Sequence, residues 1–175
     1  MSRPPNDCGE DQLRIRLART SDRSDLVRLI EEFRATLAQL RGRPCPAGSE
    51  AASQELAEYL QKGFPIYVAE SMGGTMTGYL VCRVDGGVVW AESLYVMPEW
   101  RRQGVGSRLY ACAEKLGQDL GGDTVYNWVD PDNDAIISFL AARGYTVLNL
   151  IELRRSRSGE QARHSINVGP YRFAR

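Results

Sequence analysis

The chain has 175 residues, 43% hydrophobic and 25% charged, with 22 basic residues balancing 22 acidic ones. That length suits one domain with a sizeable core. Zero net charge gives no bulk attraction to nucleic acid or an anionic membrane, and no apolar run reaches the ~20 residues of a spanning helix.

Residues 1–12 are polar and contain proline, so a flexible tail is expected there, ahead of a single domain over residues 13–175. No apolar h-region precedes the domain, and a cytoplasmic location is expected. Cys8, Cys45, Cys82 and Cys112 lack metal-ligand spacing and read as reduced thiols, with Cys112 in the core.

Leu13 to Leu17 alternates as a first strand. Thr20-Ser21-Asp22 supplies cap chemistry for a helix over Ser24 to Arg41, with Leu26, Leu29, Ile30, Phe33, Leu37 and Leu40 as its apolar face. The Gly42 to Gly48 loop breaks it, and a second helix follows from Ser49 to Gln61. The period then falls to two. Ile66 to Glu70, Thr75 to Val84 and Val88 to Val96 read as three strands, joined by turns at Met72-Gly73-Gly74 and Asp85-Gly86-Gly87. A helix after Gly104 carries Val105, Leu109, Cys112, Ala113, Leu116 and Leu120. It crosses over to a parallel strand, Thr124 to Val129. Asp130, Asp132 and Asp134 read as turn and cap residues, with binding of a cationic amine as the alternative. A fourth helix spans Asp134 to Arg143, and Val147 to Leu153 reads as another strand. Arg154 to Gly169 is a polar loop, in which Arg154, Arg155, Arg157, Arg163 and His164 are expected to be solvated. Tyr171-Arg172-Phe173 is an edge strand able to pair across a homodimer. The order βααβββαβαββ implies an α/β (α+β) fold, a mixed sheet of about six to seven strands with helices on both faces.

One turn carries the chemistry. Strand end Leu94-Tyr95-Val96 runs through Met97-Pro98-Glu99-Trp100 into Arg101-Arg102-Gln103-Gly104-Val105-Gly106-Ser107, where a helix begins. The first N–H groups of a helix lack internal partners and the dipole favours an anion there. Two glycines allow close approach, and Arg101, Arg102 and Arg108 add positive charge. A dinucleotide fingerprint would need a third glycine where Leu109 stands, and there is no Gly-Lys-Ser/Thr phosphate loop.

With these residues in place, the chain resembles the GNAT-fold N-acetyltransferases. Their signature of Arg or Gln, two residues, Gly, one residue, then Gly or Ala is present as Arg101 to Gly106. The Pro-Glu-aromatic run before it and Asn133 to Gly144-Tyr145 after it match as well. The resemblance covers Leu13 to Leu153. It implies a GNAT-like mixed sheet, acetyl-CoA as co-substrate, no metal, and an amine acceptor, either a small molecule or a protein amine. It also implies that Leu94, Tyr95 and Val96 hydrogen-bond the pantetheine through their backbone. Arg101, Arg102, Gln103, Gly104, Val105, Gly106 and Ser107 would hold the pyrophosphate, and Asn133 would contact the coenzyme arm. One departure stands out. The family's Tyr seven residues after that Asn is Leu140 here, which leaves the proton donor to the thiolate unassigned; Tyr95 and Tyr145 are the alternatives.

Acyl transfer also needs a base for the amine. Glu92 is the candidate, two residues before Leu94 and flanked by Trp90 and Leu94 on one strand face. An apolar setting raises a carboxyl pKa and makes it a better base. A structural or substrate-positioning carboxylate is the alternative. Tyr126 and Trp128 either pack or line the acceptor site. A non-catalytic acyl-CoA-binding or sensing domain is the competing function.

Overall fold

The computed structural model describes residues 13–42, 44, 48–159, 161–162 and 164–174. The tail expected over residues 1–12, Cys8, Cys45 and Arg163 lie outside the described residues. Two compact units form, Met1–Ile137 and Ser138–Arg175.

The first unit is built on a five-stranded sheet in the order β1-β2-β3-β4-β5. Its strands are β1 (Leu13–Leu17), β2 (Ile66–Ser71), β3 (Met76–Asp85), β4 (Val88–Val96) and β5 (Val125–Asn127). The first four run antiparallel to their neighbours, and β5 joins β4 in parallel, as a helical crossover requires. Helices α1 (Arg23–Leu40) and α2 (Ser49–Gln61) precede β2, and α3 (Val105–Asp119) joins β4 to β5. Leu26, Leu29 and Ile30 of α1 and Ala52 and Leu56 of α2 close over Ile66, Val68, Tyr79, Val81 and Tyr95 of the sheet. Alternate strand residues such as Leu80 and Cys82 are buried on the other face, which α3 covers with Val105, Leu109, Tyr110 and Ala113. Burying so many Leu, Ile and Val side chains, at about 1.5–3 kcal/mol each, is what holds the layers together.

Local chemistry explains most of the boundaries. The two-residue turn Gly86-Gly87 sets the register Asp85↔Val88, and the whole β3–β4 ladder follows from it. Arg16 of β1 holds Asp22 through two hydrogen bonds of 2.6 and 2.9 Å, and Asp22 also accepts from the Arg19 N–H at 2.6 Å. This carboxylate, 7% exposed, locks the turn that launches α1. Three details depart from expectation. β5 is shorter than Thr124 to Val129. Cys112 is half-buried rather than core, its Sγ lying 3.6 Å from the Arg108 carbonyl. Tyr110, and not Leu120, completes the apolar face of α3, because the helix ends at Asp119 and leaves Leu120 exposed.

The helix α4 (Asp134–Ala142) carries the chain from one unit into the other. In the second unit the expected strand Val147 to Leu153 does not form. The segment is irregular and its large apolar side chains are exposed, Val147 at 86%. No described residue of this unit pairs with it, and an unpaired strand has no ladder to stabilise it. Strand β6 (Ser165–Val168) arises instead inside the expected loop. It forms a hairpin with β7 (Tyr171–Ala174), a two-stranded sheet of its own rather than an edge of the main one. The element order is still βααβββαβαββ.

Candidate active site

The site is built where β4 parts from β5. β5 pairs only with Val89, Trp90 and Ala91. The β3–β4 register slips at the next residues: Val81 faces Ser93 while Cys82 faces Ala91, so Glu92 has no opposite number. A bulge of this kind bends its strand. Beyond it, Glu92 to Val96 pair with no strand of the described residues on the β5 side. Met97 N–H donates to Thr77 O at 2.9 Å, and the antiparallel alternation therefore turns the Tyr95 backbone toward β3 and those of Leu94 and Val96 toward the open edge. The Val96 carbonyl already accepts from Arg101 Nε at 2.8 Å.

Gly78 makes the close packing of this strand end possible. It pairs with Val96, and a Cβ there would stand 2.7 Å from the Tyr95 carbonyl oxygen.

The basic turn follows at once. Pro98–Trp100 forms a single 3-10 turn, and Gln103 Nε2 donates to the Glu99 carbonyl at 2.7 Å. Arg102 has φ of 63°, a left-handed backbone uncommon for a residue with a side chain. Gly104 caps α3 with φ of 81°, where glycine carries no steric cost. The first helical bond runs from Arg108 N–H to Gly104 O at 3.0 Å, and no side chain caps the helix. The N–H groups of Val105, Gly106 and Ser107 therefore point out of the helix end with no acceptor among the described residues. Arg101, Arg102, Ser107 and Arg108 are exposed around them, while Val105 is buried and anchors the turn to the core.

Asn133 caps α4, its Oδ1 accepting from Ile136 N–H at 3.2 Å, so the cap is Asn133 rather than one of the neighbouring aspartates. Asp130 holds the turn before it, accepting from Asp132 N–H at 3.0 Å and from Arg41 Nε at 2.7 Å. Leu140 is buried and aliphatic, as the sequence requires.

Glu92 is half-buried, with Arg83 Nε 3.6 Å from its Oε2. Its setting differs from the apolar wall the sequence suggested. The bulge moves Leu94 to the opposite face: Leu94 faces Leu80, while Ser93 and Trp90 face Val81 and Arg83. What adjoins Glu92 is the Arg83 cation, which itself contacts two tryptophans, and next along the strand is Ser93, one of a buried hydroxyl pair. Tyr79 and Ser93 share a hydrogen bond of 2.8 Å, and burial raises the Tyr79 phenol well above its usual value. Tyr95 donates to Glu32 at 3.2 Å, and burial, then Glu32, raise its pKa; its proton is aimed at α1.

Sequence reasoning passed over Arg83. The signal was present, since the two-residue turn after Asp85 places Arg83 opposite Trp90 by counting alone. Trp128 lies outside β5, 66% exposed, with its ring 5.1 Å from that of Trp90; it is not a core residue.

A family model described as the acetyltransferase (GNAT) family matches residues 30–145. Among solved structures, the chain is similar to AAC(6')-Iy in complex with a bisubstrate analogue, CoA-S-monomethyl-acetylneamine. The two share 20% identity over 83% of this chain and 98% of that one, with a TM-score of 0.64. It is similar to the aminoglycoside acetyltransferase meta-AAC0020 from an uncultured soil metagenomic sample, solved with sisomicin: 20% identity, 85% and 98% coverage, TM-score 0.62. A mutant BH1408 protein from Bacillus halodurans aligns with a TM-score of 0.68 at 17% identity, over 82% of this chain and 99% of that one. At these identities the likeness is one of fold.

Proposed function

The chain belongs to the GNAT acetyltransferase family, and from that premise we propose that it moves an acetyl group from acetyl-CoA to a primary amine by direct attack in a ternary complex. The observation that carries this reading is the adjacency of an open strand edge at Leu94 and Val96 and an uncapped helix end at Gly104. The first offers amide partners to the pantetheine arm, the second an anion site for the pyrophosphate. Arg101, Arg102, Gln103 and Ser107 border that anion site, and Asn133 keeps its amide N–H₂ for the coenzyme arm.

Glu92 takes the proton of the attacking amine, directly or through one water. The amine nitrogen then bonds to the thioester carbonyl carbon, and Leu94 N–H supplies a donor for the oxyanion. The C–S bond breaks as the carbonyl reforms, and the sulfur leaves as thiolate. A thiol pKa near ~8.5 allows departure without a dedicated acid, consistent with Leu140 at the family's Tyr position. Holding both substrates in one site supplies much of the rate.

Leu140 also favours a second reading, a non-catalytic acyl-CoA-binding or sensing domain. Isothermal titration with acetyl-CoA and a free-CoA release assay over an amine panel separate the two. Binding with turnover supports transfer; binding with no turnover on any acceptor supports sensing.

A further inference from the structure

The β3–β4 ladder sets Arg83 directly opposite Trp90. The guanidinium carbon lies 4.8 Å from the Trp90 ring centroid and 4.6 Å from that of Trp128. Tyr126 extends the aromatic surface, its ring 5.0 Å from Trp90. An arginine in contact with two indoles at once has lost much of its freedom, and its planar fork is pre-organised. Its Nε is buried and makes no hydrogen bond; the nearest carboxylate oxygen, Glu92 Oε2, is 3.6 Å away, beyond hydrogen-bond range. A buried donor without an acceptor is unfavourable, and a ligand that brings an acceptor relieves it.

Three other carboxylates of this unit are already paired. Glu32 of α1 pairs with Arg28 at 2.8 Å, Glu55 of α2 with Arg34 at 2.6 Å, and Asp130 with Arg41 at 2.7 Å. A polycationic acceptor calls for several uncompensated carboxylates, and these three are already neutralised. Beside the open edge of β4 stand one cation and one anion, side by side.

We infer that the acceptor is an amino carboxylate, its amine directed to Glu92 and its carboxylate held by Arg83 beside Trp90 and Trp128. This rests on the acetyl-transfer reading of the same site. A bidentate guanidinium–carboxylate contact gives both orientation and affinity. The tryptophan rings border that contact, and a polyamine or aminoglycoside would meet the Arg83 cation there.

The test is free-CoA release with α- and ω-amino acids set against their carboxamides, and with kanamycin and spermidine as polycations. The expected result is a kcat/KM for amino acids about 10-fold or more above the matched carboxamides. Arg83→Met brings that ratio near one and Arg83→Lys leaves it in between. Equal rates for acid and amide, or polycations as the best acceptors, overturn the inference while leaving acetyl transfer standing. CoA binding by calorimetry with neither turnover nor saturable binding of any amino acid also overturns it. The wild-type ratio decides the matter even if the Arg83 variants fail to fold. Failure of the acetyltransferase reading itself shows separately, as no CoA release with any acceptor of the panel.

Discussion

Arg101 Nε donates to the Val96 carbonyl at 2.8 Å, tying the start of the basic turn to the end of β4. The guanidinium also lies 5.5 Å from the Tyr95 ring centroid. The arginine thus fixes the distance between the strand edge and the helix end, the two halves of the proposed coenzyme site. Arg101→Ala is expected to weaken CoA binding by about 1 kcal/mol, roughly fivefold. Calorimetric titration checks this, and kcat at saturation should change less than KM.

Two glycines here work by different means. A Cβ on Gly104 meets nothing within 4 Å, so its cost is backbone strain at φ of 81°, about 1–2 kcal/mol. A Cβ on Gly78 meets backbone, the Tyr95 oxygen at 2.7 Å and Val96 Cα at 3.3 Å, and overpacking of that kind costs about 1–3 kcal/mol. Gly78→Ala should lower the denaturation midpoint and weaken CoA binding together, because it displaces the open edge. Gly104→Asn should retain more stability than Gly104→Ala, since Asn tolerates the left-handed region. Urea unfolding of the three variants checks both statements.

Glu92→Gln keeps the side-chain shape and removes the base. With Glu92 accepting the amine proton, kcat should fall by about 10²–10⁴ while calorimetric CoA affinity is retained. A variant within threefold of wild type would leave Glu92 a positioning residue.

Asp22 gives a pH prediction whose sign is fixed. The Arg16 guanidinium holds its carboxyl below the usual 3.8, with the Arg19 N–H assisting and burial opposing. A depressed folded value means that the ionised form favours the folded state, so the contribution is fully present above 3.8 and is lost as pH falls through the lower folded value. Asp22→Asn should cost about 2 kcal/mol at pH 7, and the gap to wild type should close below about pH 4. Denaturation at a series of pH values reads this. A constant gap down to about pH 2 would count against the Arg16–Asp22 pair as its source.

What was legible in the sequence was local. The 3.6 period placed α2 at its observed bounds, and the turn at Gly86-Gly87 fixed a ten-residue strand against a nine-residue one. The glycine turn announced its helix end. The bulge at Glu92 was not legible, because no residue of β4 marks where its register with β3 shifts, and it moved Leu94 off the face assigned to it. The Arg83 cluster could have been counted from the hairpin register, but nothing in a single strand marks a cation as functional. Val147 to Leu153 misled because apolar residues with strand propensity form a strand only when another edge receives them, and propensity carries no record of the partner.

On the proposed function, the open edge at Leu94 and Val96 and the helix end at Gly104 together hold acetyl-CoA. A crystal structure of the chain with CoA tests it most directly. The pyrophosphate is expected on the N–H groups of Val105, Gly106 and Ser107, the pantetheine along Leu94 and Val96, and the thiol near Glu92. A coenzyme seated elsewhere, or with its pyrophosphate away from the Gly104 turn, would contradict it.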